Sequence, residues 1–111
     1  MKSSAQRLLL LGANGQLGHQ LEVSLQHLGE VKALARAEAD LANPATLRET
    51  LGHIAKTFHP TVIVNAAAYT AVDKAQTETK LAHAVNADSP AVLAELAKTW
   101  NATLVHYSTD Y

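Results

Sequence analysis

The 111-residue sequence has no cysteine, which excludes disulfides, thiolate metal sites and a cysteine nucleophile. Aromatic residues are scarce at 5 %, with one Trp and one Phe, so Leu, Val and Ile must fill any core. There is no excess of one charge: nine Lys and Arg face ten Asp and Glu, a formal net charge of −1. No basic stripe can follow a phosphate backbone, so nucleic acid is not an expected partner. Long apolar runs are also missing. The early run Leu8 to Leu11 stops at Gly12, too short for a signal-peptide core or a membrane span. A cytoplasmic protein without a membrane partner is expected. The rest is globular: 48 % hydrophobic, 17 % charged, three Pro and five Gly. The length fits one domain whose folding buries roughly 60–70 % of the unfolded surface.

Strand and helix patterns alternate along the chain. Arg7 to Leu11 is a short apolar run, the mark of a strand buried on both faces. Leu17, Leu21, Leu25 and Leu28 then line one helix face, with Gly29 placed to end it. Val31 to Ala35 reads as a second strand. Asn43 and Pro44 form a helix start, a capping side chain followed by proline at the first position. Leu47, Leu51, Ile54, Ala55 and Phe58 make the stripe of that helix, which Pro60 stops near Phe58. Thr61 to Val64 is a β-branched third strand. A loop at Ala66 to Thr70 and a helical stretch from about Thr77 to Asn86 follow. Ser89 and Pro90 resemble another cap and first turn. Val92, Leu93, Leu96, Ala97 and Trp100 line the next helix, and Thr103 to Tyr107 is a fourth strand. The order β-α-β-α-β-α-β implies a parallel sheet with helices on its faces. The expectation is a doubly wound α/β sheet of Rossmann type, with four strands in the spatial order 3-2-1-4 and right-handed crossovers.

The strongest motif is Gly12-Ala13-Asn14-Gly15-Gln16-Leu17-Gly18, which directly follows a strand and opens a helix. Gly12 lets the strand turn sharply. Gly15 lets a pyrophosphate approach the backbone, and Gly18 lets the helix pack close to the sheet. Amides at the helix start, aided by the dipole, then bind phosphate. No Lys-Ser or Lys-Thr follows, so this is not a nucleoside-triphosphate loop. Gly12, Asn14, Gly15, Gln16, Leu17 and Gly18 are therefore expected cofactor-binding residues. The end of the second strand should meet the adenosine ribose, where an acid suits NAD and an arginine suits NADP. Ala35 and Arg36 stand there, with no acid until Glu38. Arg36 thus points to NADPH, with NADH as the alternative.

The motif at Gly12 to Gly18 resembles the fingerprint of the extended short-chain dehydrogenases. Two further blocks are narrower: Asn65-Ala-Ala-Ala-Tyr-Thr-Ala-Val-Asp-Lys-Ala75 and His106-Tyr-Ser-Thr-Asp-Tyr111. With them, nearly the whole chain resembles the dTDP-4-dehydrorhamnose reductases, and covers well under half of a full-length member. The resemblance implies reduction of the C4 ketone of dTDP-4-dehydro-L-rhamnose to dTDP-L-rhamnose by NADPH or NADH. It implies pyrophosphate contacts at Gly15, Gln16 and Leu17, and adenine contacts at Asp40 and Leu41. Ala66, Ala67 and Ala68 would leave room for the cofactor, and Tyr107 would approach it. Thr109 matches a catalytic hydroxyl, and Thr109 with Asp110 would hold the sugar nucleotide. Members of the family protonate the product oxygen with a tyrosine followed four residues later by lysine. Here Tyr69 is followed at that spacing by Asp73, and Tyr107 by Tyr111. Residues 1–111 are accordingly expected to be the N-terminal part of a dinucleotide-binding domain, without a substrate domain and inactive alone. Some members carry an acid two residues after the last glycine and use it around a divalent cation; this chain has Gln20 there, so no metal is expected.

The six histidines show no three- or four-residue helical pair, which also argues against a metal site. Ser108 and Thr109 could suggest a nucleophile, but beyond His106, two residues from Ser108, nothing supports a triad, so nucleophilic catalysis is not expected. Trp100 completes an apolar stripe and reads as core. The alternative function is a non-catalytic dinucleotide-binding or sensor module. The fourth strand, at the edge of the sheet, is expected to support self-association through Thr103 to Ser108.

Overall fold

The computed structural model describes residues 6–67 and 83–107. Strand β1 (Gln6–Leu11) leads into helix α1 (Gln16–Leu25) and strand β2 (Gly29–Leu34). Helix α2 (Pro44–Phe58) and strand β3 (Val62–Asn65) follow. A wide helical turn at Ala84–Asp88 runs into helix α3 (Ser89–Trp100), and β4 (Thr103–His106) completes the described sheet. All pairings are parallel, with Leu8 beside Val31 and Val62, and Val64 beside Val105.

The doubly wound α/β fold is as the sequence reading expected, but the strand order is β2-β1-β3-β4 rather than 3-2-1-4. The reason lies in β1 and β2. Leu8, Leu9, Leu10 and Leu11 are all buried, so β1 needs a neighbour on each side and a layer on each face. β2 alternates instead: Glu30 and Lys32 are exposed while Val31 and Ala33 are half-buried. A strand with charged residues at alternate positions belongs at an edge. The chain therefore crosses back over β1 after β2.

This reversal places helices on opposite faces. Leu17, Leu21 and Leu25 of α1 pack on Leu8, Leu10, Val64 and Ala66. On the other face, Leu47 and Leu51 of α2 and Leu93, Leu96 and Ala97 of α3 pack on Leu9, Leu11 and Ile63. Trp100 packs against this second core, as its stripe implied. Burying one Leu contributes roughly 1.5–3 kcal/mol, so the four leucines of β1 are a large share of the apolar stabilisation.

The caps of α2 follow the sequence reading. Asn43 Oδ1 accepts from Thr46 N at 3.4 Å, Pro44 opens the helix, and His59 ends it at φ 51°. Two other expectations are corrected. Helix α1 ends at Leu25, Leu28 is exposed, and Gly29 begins β2 rather than ending the helix. A Cβ on Gly29 would lie 2.1 Å from Gln6 O, so glycine serves strand approach there. Ser89 is no cap: it is helical and buried, and its Oγ donates to Leu41 O at 2.6 Å. Its N–H bonds Ala84 O, five residues back. The widened turn accommodates Pro90, which has no N–H to give and crowds the preceding turn. Most of the helix expected at Thr77 to Asn86 lies outside the described residues.

Candidate functional site: the crevice between β1 and β3

The strand order reverses at β1. Crevices at the carboxyl ends of such strands are where doubly wound sheets bind ligands. Gly12 leaves β1 at φ 81°, and a Cβ there would lie 2.6 Å from Ala67 Cα. The N–H groups of Gly12 and Ala13 both donate to Leu34 O, at 3.0 and 3.1 Å, tying the turn to the end of β2. Gly15 N donates to Gly12 O at 3.2 Å, and His19 N to Gly15 O at 2.8 Å. Gly15 is the N-cap of α1, in extended backbone, and no side chain caps the helix. The next amides, of Gln16, Leu17 and Gly18, therefore have no acceptor within the helix. No acidic residue sits in the first turn to compete for them. The helix end thus presents bare donors and the positive end of its dipole to the crevice. Gly18 brings it there: a Cβ on Gly18 would lie 1.9 Å from Gly12 O. The Leu17 side chain packs in the α1 layer, so only its amide is available to a ligand.

Asn14 and Arg36 meet across the turn, Arg36 N donating to Asn14 Oδ1 at 3.4 Å. The Arg36 guanidinium is half-exposed and lies 3.9 Å from Asp40 Oδ1. At that exposure and separation the pair holds the arginine only weakly. Asp40 is partly occupied, since Oδ1 also accepts from Ala42 N at 2.9 Å. Leu41 does not reach the crevice with its side chain, which is 3 % exposed and packed in the α2–α3 core. Glu38 is the first acid after β2. Its Oε1 accepts from Ala35 N at 2.9 Å, so the turn folds the carboxylate back to the end of β2.

Across the crevice, Ala66 and Ala67 are buried at the end of β3. Ala66 N donates to Leu11 O at 3.0 Å. The residue that gathers this side is Asn65, fully buried and assigned no role from sequence. Its Oδ1 accepts from Ala67 N at 3.1 Å, and its carbonyl accepts from Tyr107 N at 3.0 Å. Its Nδ2 lies 2.9 Å from His106 Nδ1. With Oδ1 facing the Ala67 N–H, Nδ2 must be the donor, so Nδ1 of His106 accepts and the neutral ring carries its proton on Nε2. A polar residue closing the apolar run Val62 to Val64 was the available signal. Tyr107, directly after β4, is 37 % exposed. Ala68, Thr109 and Asp110, expected for cofactor and substrate, lie outside the described residues. Among the described residues no group of three or more His, Asp or Glu could hold a metal ion. No helix among them is long and apolar enough to cross a membrane.

A parallel sheet with a glycine turn and an uncapped helix start at its switch point defines the doubly wound, Rossmann-type class. Within it, residues 6–111 match the model of the RmlD substrate binding domain, and the chain belongs to that family. It is 50 % identical over 105 residues to a dTDP-4-dehydrorhamnose reductase of Burkholderia thailandensis, covering 95 % of this chain and 34 % of that protein. It is 44 % identical to the Salmonella typhimurium reductase, covering 94 % of this chain and 35 % of that one. The Bacillus anthracis dTDP-4-dehydrorhamnose reductase, solved in complex with NADP, superposes with a TM-score of 0.77 at 28 % identity, over 94 % of this chain and 36 % of its own. The Clostridium acetobutylicum protein gives 0.70 at 33 % identity, over 87 % and 34 %. The chain spans about a third of the length of the relatives it matches.

Proposed function

We propose that this chain carries the dinucleotide-binding half of an NADPH-dependent dTDP-4-dehydrorhamnose reductase. The observation that carries the reading is the uncapped start of α1, held by Gly12 and Gly18 against Ala66 and Ala67 at the switch point. The residues fit a dinucleotide: three amides without helical acceptors suit a pyrophosphate, and Arg36 beside Asn14 suits a 2′-phosphate. The NADP held by the Bacillus anthracis relative supports the same choice.

The bound dihydronicotinamide would supply a hydride to the C4 carbonyl of the sugar nucleotide. This chain's own part is to bind and orient. The amides of Gln16, Leu17 and Gly18 take the pyrophosphate, and Arg36 takes the adenosine phosphate. Asp40 lies by the adenine, and Tyr107 borders the cofactor on the far side. Thr109 donates a hydrogen bond to the oxygen that gains charge at C4, and Asp110 helps to hold the sugar nucleotide. The proton for that oxygen needs a general acid, and no tyrosine in the 111 residues has the lysine spacing that marks it.

Calorimetric titration with NADPH, NADH and ADP-ribose tests this. Tighter binding of NADPH than NADH, with ADP-ribose keeping most of the affinity, is expected. Equal affinity for NADPH and NADH would remove the role of Arg36. No binding of any of the three by the folded chain would refute the half-site.

A further inference from the structure

A groove of 320 Å³ opens at the other pole of the sheet, where β1 and β3 begin. Arg7, Gly52, Lys56, His59, Thr61 and Trp100 line it. Two cations and an imidazole line the groove, and among the described residues no acidic side chain does. Of the two cations, Arg7 is held in place while Lys56 is exposed. Arg7 is half-buried, and its Nε donates to His59 O at 2.6 Å, leaving the terminal guanidinium nitrogens for a ligand. Thr61 Oγ1 accepts from Arg7 N at 2.9 Å and donates to Gln6 Oε1 at 2.8 Å. The carbonyl end of α2 adds some negative charge, which the His59 N–H to Ala55 O bond at 3.0 Å partly caps.

Gly52 gives the second, independent observation. It sits in the interior of α2, where glycine destabilises a helix relative to alanine. At Gly12, Gly18 and Gly29 a Cβ would strike backbone closer than 3.0 Å, so packing explains those glycines. At Gly52 a Cβ would meet nothing within 4 Å. Neither packing nor backbone conformation calls for glycine, and the space it leaves opens onto the groove.

We propose that this groove binds a small organic phosphate. Its phosphate meets Arg7 and Lys56, and its flat ring lies over Gly52 against Trp100. The geometry combines the elements such a ligand needs: paired cations, one of them an arginine held in place, and an aromatic wall beside an open floor. The site lies at the strand ends opposite the glycine turn and does not depend on the cofactor reading.

Trp100 is the one tryptophan in the sequence, so its emission and its indole N–H resonance are single signals from a residue that lines the groove. Phenyl phosphate is the probe, titrated to about 10 mM, a range that captures millimolar affinity. A saturable change in Trp100 emission is expected, weakened about tenfold in Gly52→Leu, which fills the floor, and in Lys56→Glu, which reverses one charge. Circular dichroism verifies that both variants fold. No saturable change, or unchanged affinity in the folded variants, overturns the proposal. Loss of NADPH binding at the glycine turn would leave this result untouched, so the two sites fail separately.

Discussion

Two glycines in two helices should answer the same substitution with opposite signs. Gly18 is the third residue of α1, and Gly52 lies in the middle of α2. Helix propensity alone favours alanine at either site by roughly 0.5–1 kcal/mol. At Gly18 the new Cβ would sit 1.9 Å from Gly12 O, 2.7 Å from Gly12 C and 2.9 Å from Ala13 Cα. All three are backbone atoms and cannot rotate away. A tolerable carbon–oxygen contact is about 3.3 Å, so the start of α1 must retreat by roughly 1.4 Å. That retreat loosens Leu17 and Leu21 from Leu8 and Leu10, and overpacking of this kind costs about 1–3 kcal/mol. After the propensity gain, Gly18→Ala should lose about 1–2 kcal/mol, and Gly52→Ala should gain about 0.5–1 kcal/mol. For a domain of this size each kcal/mol moves Tm by roughly 4–8 °C. Urea unfolding with an unchanged slope would read both numbers, and NADPH titration would show Gly18→Ala weakened beyond its stability loss. A Gly18→Ala protein as stable as the parent would refute the close approach of α1 to the glycine turn.

Arg36→Ala should weaken NADPH binding by about tenfold, one charge-assisted contact, and leave NADH unchanged, as parallel calorimetric titrations would show. Asn65→Leu removes the acceptor of the Ala67 N–H and the partner of His106, and should cost about 1–3 kcal/mol in urea unfolding. In the parent protein, ¹⁵N NMR should find the neutral His106 ring protonated on Nε2; the other tautomer would contradict the contact with Asn65. Ser89→Ala deletes the hydroxyl that donates to buried Leu41 O and should cost about 1–3 kcal/mol by the same unfolding assay. β4 pairs only with β3 among the described residues, and its Val105 is 38 % exposed. Sedimentation should show concentration-dependent self-association that Val105→Lys reduces, and a monomer at every concentration would remove the edge-pairing idea.

What the sequence made legible was local. Asn43, Pro44 and Pro60 bracket α2 because capping and proline geometry act within a few residues. The apolar run Leu8 to Leu11 announces a central strand by itself. The glycine turn could be placed because strand, turn and helix are contiguous. Strand order was not legible from strand and helix alternation alone, which is the same for several arrangements. It was written instead in the charged alternation of Glu30 and Lys32, which marks β2 as an edge. Gly29 looked like a helix stop because its real constraint, the Gln6 carbonyl, is 23 positions away. Ser89 looked like a cap for the same reason, its acceptor being Leu41. Asn65 and Glu38 show the converse case. Their roles depend on which backbone groups the fold brings within 3 Å or so, and no spacing rule encodes that.

The corrected order also changes what forms the site. In the order 3-2-1-4 the crevice beside β1 would have been walled by the fourth strand. With β3 in that place, the wall is the Asn65–Ala66–Ala67 segment, and its small residues face the glycine turn directly. The 2.6 Å between a Gly12 Cβ and Ala67 Cα follows from that adjacency, as does the Ala66 N–H bond to Leu11 O. β4 then joins the site one strand further out, through the Tyr107 N–H on Asn65 and the His106 ring on the same side chain. The Asn65 side chain thus ties the Ala66–Ala67 wall to the end of β4, alongside the β3–β4 ladder itself. Under the proposed function, a change at Asn65 should disturb the Ala66–Ala67 wall and the end of β4 together, whereas a change at Arg36 should reach the cofactor's adenosine end alone.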